Sequence, residues 1–380
     1  MDFRPSEEQE ILRRTVREFA EAEMRPHVME WDEAQGFSKD LLPKLASLGL
    51  MGIQFAEQYG GSAMSAVDYC ICIEELARVD PGVALSVAAH NGLCTAHINM
   101  FGSDAQKETY LPRLVKGEVL GAWGLTEANA GSDAAAMRTT ATRQGDCWVL
   151  NGAKAFITHG AIGGVMVVMA VSDRTKGNRG ISAFVLEHGT PGMRAGKKEN
   201  KLGMRASDTS EVVFEDCRLP GSQMLGEEGQ GFINTLQVLD AGRIGIAALS
   251  VGLAQGAYEA ARSYAKERHQ FGQPIAAFQA IQWKLANAAT EIEASRLLTY
   301  RAAYLKDLGR RMTKESAMAK LYSSETAVRV ADDCVQIHGG YGFVKDYPAE
   351  KYFRDVKLLT IGEGTSEIQR LVIARQLLGS

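Results

Sequence analysis

Glu363 stands between two glycines in Ile361-Gly362-Glu363-Gly364-Thr365-Ser366-Glu367-Ile368-Gln369-Arg370, just ahead of a stretch with helical spacing. A carboxylate flanked by residues without side chains can be approached closely by a substrate, and burial there raises its pKa toward that of a working general base. The same residues suit a plainer role, an acid at a helix N-terminus with Thr365 as the cap.

Four other segments carry similar double readings. Gly124-Leu125-Thr126-Glu127-Ala128-Asn129-Ala130-Gly131-Ser132-Asp133 gathers small residues and hydroxyls, so its backbone N–H groups can reach a flat polar ring or a phosphate; a polar loop has the same composition. Phe156-Ile157-Thr158-His159-Gly160 ends a strand pattern with an aromatic and a hydroxyl, which serve packing or a cofactor. Arg268-His269-Gln270-Phe271-Gly272 follows a long helical pattern and also reads as a charged helix C-terminus with a glycine stop. Gln336-Ile337-His338-Gly339-Gly340-Tyr341-Gly342-Phe343 bares backbone amides after a helix, as a phosphate loop or a surface turn would. Its G-G-x-G spacing is not the strand-to-helix G-x-G-x-x-G of dinucleotide folds.

The elements that must position these residues fall into three regions. Pro5 and Ser6 open a first helix with Gln9 completing a capping box, and Leu12, Val16, Phe19 and Ala20 recur at helical spacing. Further helical patterns cover 38–48, 65–79 and 105–115, divided by Gly60-Gly61 and Asp80-Pro81-Gly82. Short β-rich runs follow at 139–142, 147–150, 165–171, 181–186 and 212–214. Helical periodicity returns over 231–266, 276–308 and 313–337, with a last helix from Thr365. The expected fold is mainly α with a central β domain: an N-terminal helical domain over 1–120, a middle domain over 121–225 and a C-terminal bundle over 226–380. Clefts at the borders of the β domain are where a cofactor is expected.

At 380 residues, 46% apolar and 23% charged, the chain exceeds one average domain and can bury a large core. A net charge of -4 offers no broad basic field, which argues against nucleic acid as a partner. The six scattered cysteines read as buried thiols in a reducing compartment. No signal peptide, membrane span, metal-ligand spacing or serine-triad signature is expected.

Taken together and in order, these segments resemble the acyl-CoA dehydrogenase family over essentially the whole chain. GLTEANAGSDAAA fits the family's first signature and QIHGGYGFVKDYPAEKYFRD its second, with FITHG, RHQFGQPIAAFQAIQ and GEGTSEIQRLVIAR as supporting blocks. The resemblance implies a helical domain, a β-barrel-like domain and a four-helix bundle, assembled as a homotetramer and binding FAD. It implies α,β-dehydrogenation of an acyl-CoA thioester to the trans-2-enoyl-CoA, the β-hydride passing to flavin N5 and the electrons to electron-transfer flavoprotein. Glu363 matches the catalytic base. Trp123, Leu125, Thr126, Gly131 and Ser132 match flavin-lining positions, with Thr126 at the pyrimidine edge; Phe156, Ile157 and Thr158 match positions at the ring face and N5. Arg268, Phe271, Phe278, Gln279, Gln336, Ile337, Gly339 and Gly340 match residues at the pyrophosphate and adenosine of a neighbouring subunit's cofactor, joined by Thr365 and Glu367. Ser132, Asp240, Arg243, Gly364 and Arg375 match acyl-CoA contacts. The compartment implied is a bacterial cytoplasm or, for a mature chain, the mitochondrial matrix.

Two departures bear on specificity. His159 replaces the family's common asparagine, and Gly362 stands where many members carry tyrosine, which widens the space beside the thioester. Short to medium straight chains are the first expectation, branched or aromatic acyl groups the second. Some members place the base on a bundle helix, at the position of Gly242, and lack it beside Gly364. An acyl-CoA oxidase using oxygen and a non-catalytic flavin-binding scaffold are the other outcomes this architecture admits.

Overall fold

The structure, a computed structural model, describes residues 4–379. The N-terminal region is built from α1 (Glu7–Phe19), α2 (Val28–Ala34), α3 (Leu41–Ser47), α4 (Ala66–Val79), α5 (Pro81–Ala89), α6 (Ala96–Phe101) and α7 (Asp104–Val115). Three of these start at a serine capping box: Ser6 with Gln9, Ser65 with Asp68 and Ser103 with Gln106. The Asp80-Pro81-Gly82 break separates two helices without a loop. Asp80 ends α4 and accepts the Gly82 N–H at 2.8 Å, and Pro81 occupies the first turn of α5, where its missing N–H costs nothing. Helix α5 carries no readable period in sequence because all nine of its residues are buried.

The middle region is a sheet of β1 (Gly121–Gly124), β2 (Thr140–Gln144), β3 (Cys147–Thr158), β4 (Val165–Val171), β5 (Ile181–Glu187), β6 (Met193–Lys198), β7 (Thr209–Pro220) and β8 (Met224–Leu225). The ladder runs β6-β7-β3-β2-β4-β5-β8, with β1 parallel to β4. Every residue of β4 is buried: Val165, Val167 and Met169 pack with Leu111 and Leu114 of α7, while Met166, Val168 and Ala170 face a core inside the sheet. Trp148 of β3 and Phe184 of β5 lie 5.5 Å apart, ring to ring, although two strands separate them in the ladder. A flat sheet would hold those strands about 14 Å apart, so this one curls, as a barrel-like domain must. Strands β1 and β6 were not expected; Gly-Ala-Trp-Gly lacks β-branched residues, and β6 is a largely unburied edge.

The C-terminal region contains α8 (Gly231–Glu267), a small hairpin with arms β9 (His269–Gln270) and β10 (Gln273–Pro274), and helices α9 (Gln279–Asp307), α10 (Thr313–His338), α11 (Ala349–Asp355) and α12 (Ser366–Leu378). Helix α8 is long and apolar enough to cross a membrane, yet 72% of its most apolar window is buried inside the molecule. It packs on α4, α9 and α10 as the central helix of the bundle. Glu74 and Glu75 of α4 are buried with their charges matched. Arg296 of α9 reaches Glu74 at 2.7 Å, while Arg17 of α1 and Arg78 reach Glu75 at 2.9 and 3.2 Å. Such pairs lock helices in register, since losing one partner strands a buried charge. The cysteines are all free, and five of the six are buried.

Candidate active site

Glu363 lies in the turn ahead of α12, and its backbone is left-handed, at φ 51°, followed by Gly364 at φ 95°. A non-glycine residue there costs on the order of 1 kcal/mol, so the turn must be held from outside. Gln369 Nε2 donates to the Gly364 carbonyl at 2.9 Å and to that of Glu363 at 3.3 Å, and Lys320 Nζ donates to the Gly364 carbonyl at 2.7 Å. Thr365 caps α12 by accepting the Ile368 N–H at 3.3 Å, as its position suggested.

The carboxylate points into the protein. Glu363 Oε2 is enclosed and has no hydrogen-bond partner among the described residues. Burial pushes its pKa up to about 7, a rise that Lys320 and Arg243 hold back. At neutral pH the group is therefore poised between its two protonation states, as a general base is. The floor beneath it is Gly242 of α8: a Cβ there would fall 2.3 Å from Oε2. Tyr69 of α4 closes the same floor, its hydroxyl 2.5 Å from where a Cβ on Gly245 would sit. Burial, with the Glu363 charge nearby, raises the Tyr69 phenol well above its usual pKa and keeps it neutral.

Asp240 and Arg243 share α8 with Gly242. Arg243 is buried and donates to Asp240 Oδ1 at 2.6 Å, and Thr313 Oγ1 donates to Asp240 Oδ2 at 2.6 Å. Arg243 Nε is enclosed without a hydrogen-bond partner among the described residues. The glutamate, Gly364, Asp240 and Arg243 are thus brought to one place. Arg375 is exposed, three turns along α12 from that place, and Glu367 is exposed in the first turn.

A second group forms on the β domain. Residues Lys154 and Ile157 of β3 pair with Val212 and Ser210 of β7, so β3 carries an extra residue between them. This bulge keeps Lys154 and Ile157 buried and turns Phe156 outward, 65% exposed and left-handed at φ 58°. The Ala155 N–H donates to the Thr126 carbonyl at 2.8 Å, which joins the two segments singled out in sequence. Lys154 Nζ, wholly buried, bonds the Leu125 carbonyl at 3.1 Å and Glu127 Oε1 at 2.7 Å. Glu127 in turn accepts the N–H groups of Arg138 and Thr139. Trp123 Nε1 donates to His97 Nδ1 at 3.1 Å. His90 and His159 clamp Gly121, His90 Nδ1 accepting its N–H and His159 Nδ1 donating to its carbonyl, both at 3.0 Å. Trp123, Thr126 and Thr158 are half-buried and Gly131 and Ser132 exposed, leaving an open shelf of aromatic, hydroxyl and amide groups. Such a shelf fits a flat, polar, aromatic cofactor. Leu125 and Ile157 turn their side chains into the cores, so only their backbones can face a ligand.

The third group lies at the far end of α10, about 24 Å from Lys320 at 1.5 Å per residue to Gln336. Arg268 sits 5.7 Å over the Tyr341 ring, and Phe271 meets Phe278 edge to face. Gln279, Gln336, Gly339 and Gly340 are exposed here, Phe271 is 92% exposed, and a Cβ on either glycine would meet nothing within 4 Å among the described residues. Ile337 packs in the core. Open amides beside an arginine suit a pyrophosphate, but this end of the bundle is remote from Glu363 in the same chain.

Sequence reasoning missed Lys320, Gln369, Tyr69 and the Lys154–Glu127 pair. Lys320 left one signal: Ser316, Ala317, Ser323 and Ser324, three and four residues to either side, are all small. A lone lysine on a small-residue helix face is a lysine pointing inward.

Comparison with known proteins matches the three regions in turn. Residues 6–118 match the family "Acyl-CoA dehydrogenase, N-terminal domain", residues 122–217 the middle domain and residues 229–378 the C-terminal domain. The chain is 47% identical to the short-chain specific acyl-CoA dehydrogenase of Clostridium acetobutylicum, over 99% of this chain and all of that one. It is 46% identical to the acryloyl-CoA reductase (NADH) of Anaerotignum propionicum, over all of this chain and 96% of that one. A solved chain from work on the electron-transferring flavoprotein of Acidaminococcus fermentans superposes with a TM-score of 0.98, at 46% identity and full coverage of both chains. Matched in all three regions and along its length, the chain belongs to the acyl-CoA dehydrogenase family.

Proposed function

We propose that this chain dehydrogenates short, straight-chain acyl-CoA thioesters to trans-2-enoyl-CoA, with Glu363 taking the α-proton. The observation that carries this reading is the enclosed Glu363 Oε2, without a hydrogen-bond partner among the described residues and with its pKa raised to about 7, above a floor without side chain at Gly242. FAD, the family's cofactor, supplies the acceptor for the β-hydride when bound. Trp123, Thr126, Gly131, Ser132, Phe156 and Thr158 hold its ring side. Arg243, Asp240, Ser132, Gly364 and Arg375 hold the thioester and its CoA, and the Glu363 N–H polarises the carbonyl as enolate character develops.

The group at Arg268, Phe271, Phe278, Gln279, Gln336, Gly339 and Gly340 is too far along α10 to serve the same chain's Glu363 site. Its exposure supports a homo-oligomer, a tetramer in our reading, in which it holds the pyrophosphate and adenosine of a neighbour's cofactor. Electron-transfer flavoprotein is the proposed redox partner, and the bacterial relatives support a bacterial cytoplasm as compartment.

The acryloyl-CoA reductase among the relatives favours a second reading, the same chemistry run toward the saturated thioester. A base half-protonated at neutral pH serves either direction, because the protonated form returns the proton to the α-carbon. Anaerobic titration of the FAD-loaded protein with acyl-CoA thioesters of graded length tests both. Butyryl-CoA should bleach the oxidised flavin band most fully, and crotonyl-CoA should restore it in dithionite-reduced protein. A flavin band that no thioester alters would overturn the proposal.

Gly362 has room for a side chain, since the nearest atoms to a Cβ there belong to Leu358, at 3.5 Å and beyond. Gly362→Tyr should narrow the acyl pocket and shift the ratio of kcat/KM between butyryl-CoA and octanoyl-CoA by about tenfold. An unchanged ratio would show that this residue does not set chain length.

A further inference from the structure

We propose that Lys320 is the positioning residue of the base: its ammonium, seated inside the bundle on α10, pins the left-handed Glu363–Gly364 turn through the Gly364 carbonyl and supplies the positive field in which the Glu363 carboxylate ionises. The inference rests on Glu363 being the base.

Three observations converge on it. Lys320 is fully buried, in a slot left open by Ser316, Ala317, Ser323 and Ser324 of the same helix. Its Nζ reaches the Gly364 carbonyl at 2.7 Å, and no carboxylate lies within ion-pair distance of it among the described residues. The Gly364 carbonyl already receives a neutral donor, Gln369 Nε2, at 2.9 Å. A second neutral donor would complete the hydrogen bonding, whereas burying an ammonium without a counter-ion costs several kcal/mol. The charge is therefore retained for its effect on something nearby, and the enclosed Glu363 carboxylate is the group on which it acts.

Two other groups face Glu363. From α8 comes Arg243, which adds to the positive field while its guanidinium is also engaged by Asp240 at 2.6 Å; from α4 comes Tyr69, neutral through burial. Lys320 itself faces Arg243, Glu325 and Glu367 besides Glu363. Burial lowers its own pKa to about 8, so it carries its charge over the range in which Glu363, at about 7, ionises.

The test is the pH profile of kcat/KM on the FAD-loaded protein, whose acidic limb reports the free enzyme's base. Lys320→Met should move that limb to higher pH by about one unit, cutting the rate on the limb roughly tenfold. Lys320→Arg should bring the limb back toward the parent position. Gln369→Leu, which loosens the same turn but leaves the charge, should lower kcat with the limb unmoved. If Lys320→Met does not retain FAD, Lys320→Gln is read in its place. A limb that stays at the parent position in the uncharged variant, or one that moves as far in Gln369→Leu, overturns the proposal. Normal turnover in Glu363→Gln would overturn the base itself, which is a separate result.

Discussion

Glu363→Gln should bind FAD and acyl-CoA nearly as the parent does and lose turnover by on the order of a hundredfold or more. The amide keeps the size of the side chain and leaves the left-handed turn to its own clamps, Gln369 and Lys320. It cannot accept the α-proton. Substrate should therefore fail to bleach the flavin band although its binding still perturbs the spectrum, and near-normal turnover would refute the assignment. Stability provides a second readout of opposite sign. A carboxyl whose pKa rises from its ordinary 4.5 to about 7 on folding holds a proton more tightly in the folded state. Its ionisation therefore costs stability as pH rises from about 4.5 through about 7, by up to about 3 kcal/mol at pH 8. Glu363→Gln removes that cost, so its melting temperature should exceed the parent's at pH 8 and match it at pH 4.5. On the proposed reading, a carboxylate kept ionisable in an enclosed site is a cost the fold carries for the chemistry.

Much of this site was legible because its residues lie in short contiguous segments with unusual composition. Glycine on both sides of Glu363 offered close approach as one of two readings, beside a helix-terminal acid, and the small residues with Thr126 and Ser132 between Gly124 and Asp133 offered a backbone shelf beside a plain polar loop; the family-like blocks decided between them. What the sequence left dark is what long-range packing decides. Lys320 lies 43 positions before Glu363 and meets its turn only because α10 and α12 pack together. Lys154 keeps the inward parity of Trp148 and Leu150 along β3, but its partner Glu127 lies 27 positions earlier on another segment and meets it only in the folded domain. The long helices were visible from their period and the capping box at Ser6 from its spacing. Helix α5 was invisible for the converse reason: a helix buried on every side has no polar face to show its period. Strand β1 was hidden by Gly-Ala-Trp-Gly, which becomes a strand only because β4 offers it an edge.

The second large effect is expected at Gly242, where a side chain and that of Glu363 would compete for the same space. A Cβ on Gly242 would lie 2.3 Å from Glu363 Oε2 and 3.3 Å from its Cδ, closer than atoms approach without displacement. Gly242→Glu alone should therefore push the native carboxylate out of place and set a like charge beside it, lowering turnover by on the order of a hundredfold. In a Glu363→Gly background the same substitution meets an empty space. The new side chain starts where the old carboxylate ended, so its own carboxylate must fold back toward the vacated volume. Leu93 Cδ2, at 3.4 Å from the added Cβ, blocks one direction, and the helix excludes another, because one χ1 rotamer clashes with the preceding turn. Lys320 and Arg243 remain to favour the ionised form. The double variant should then turn over acyl-CoA on the order of tenfold faster than Glu363→Gly alone while staying well below the parent. A double variant that binds FAD and acyl-CoA yet turns over no faster than Glu363→Gly would show that the helix position and the turn position do not address the same α-carbon.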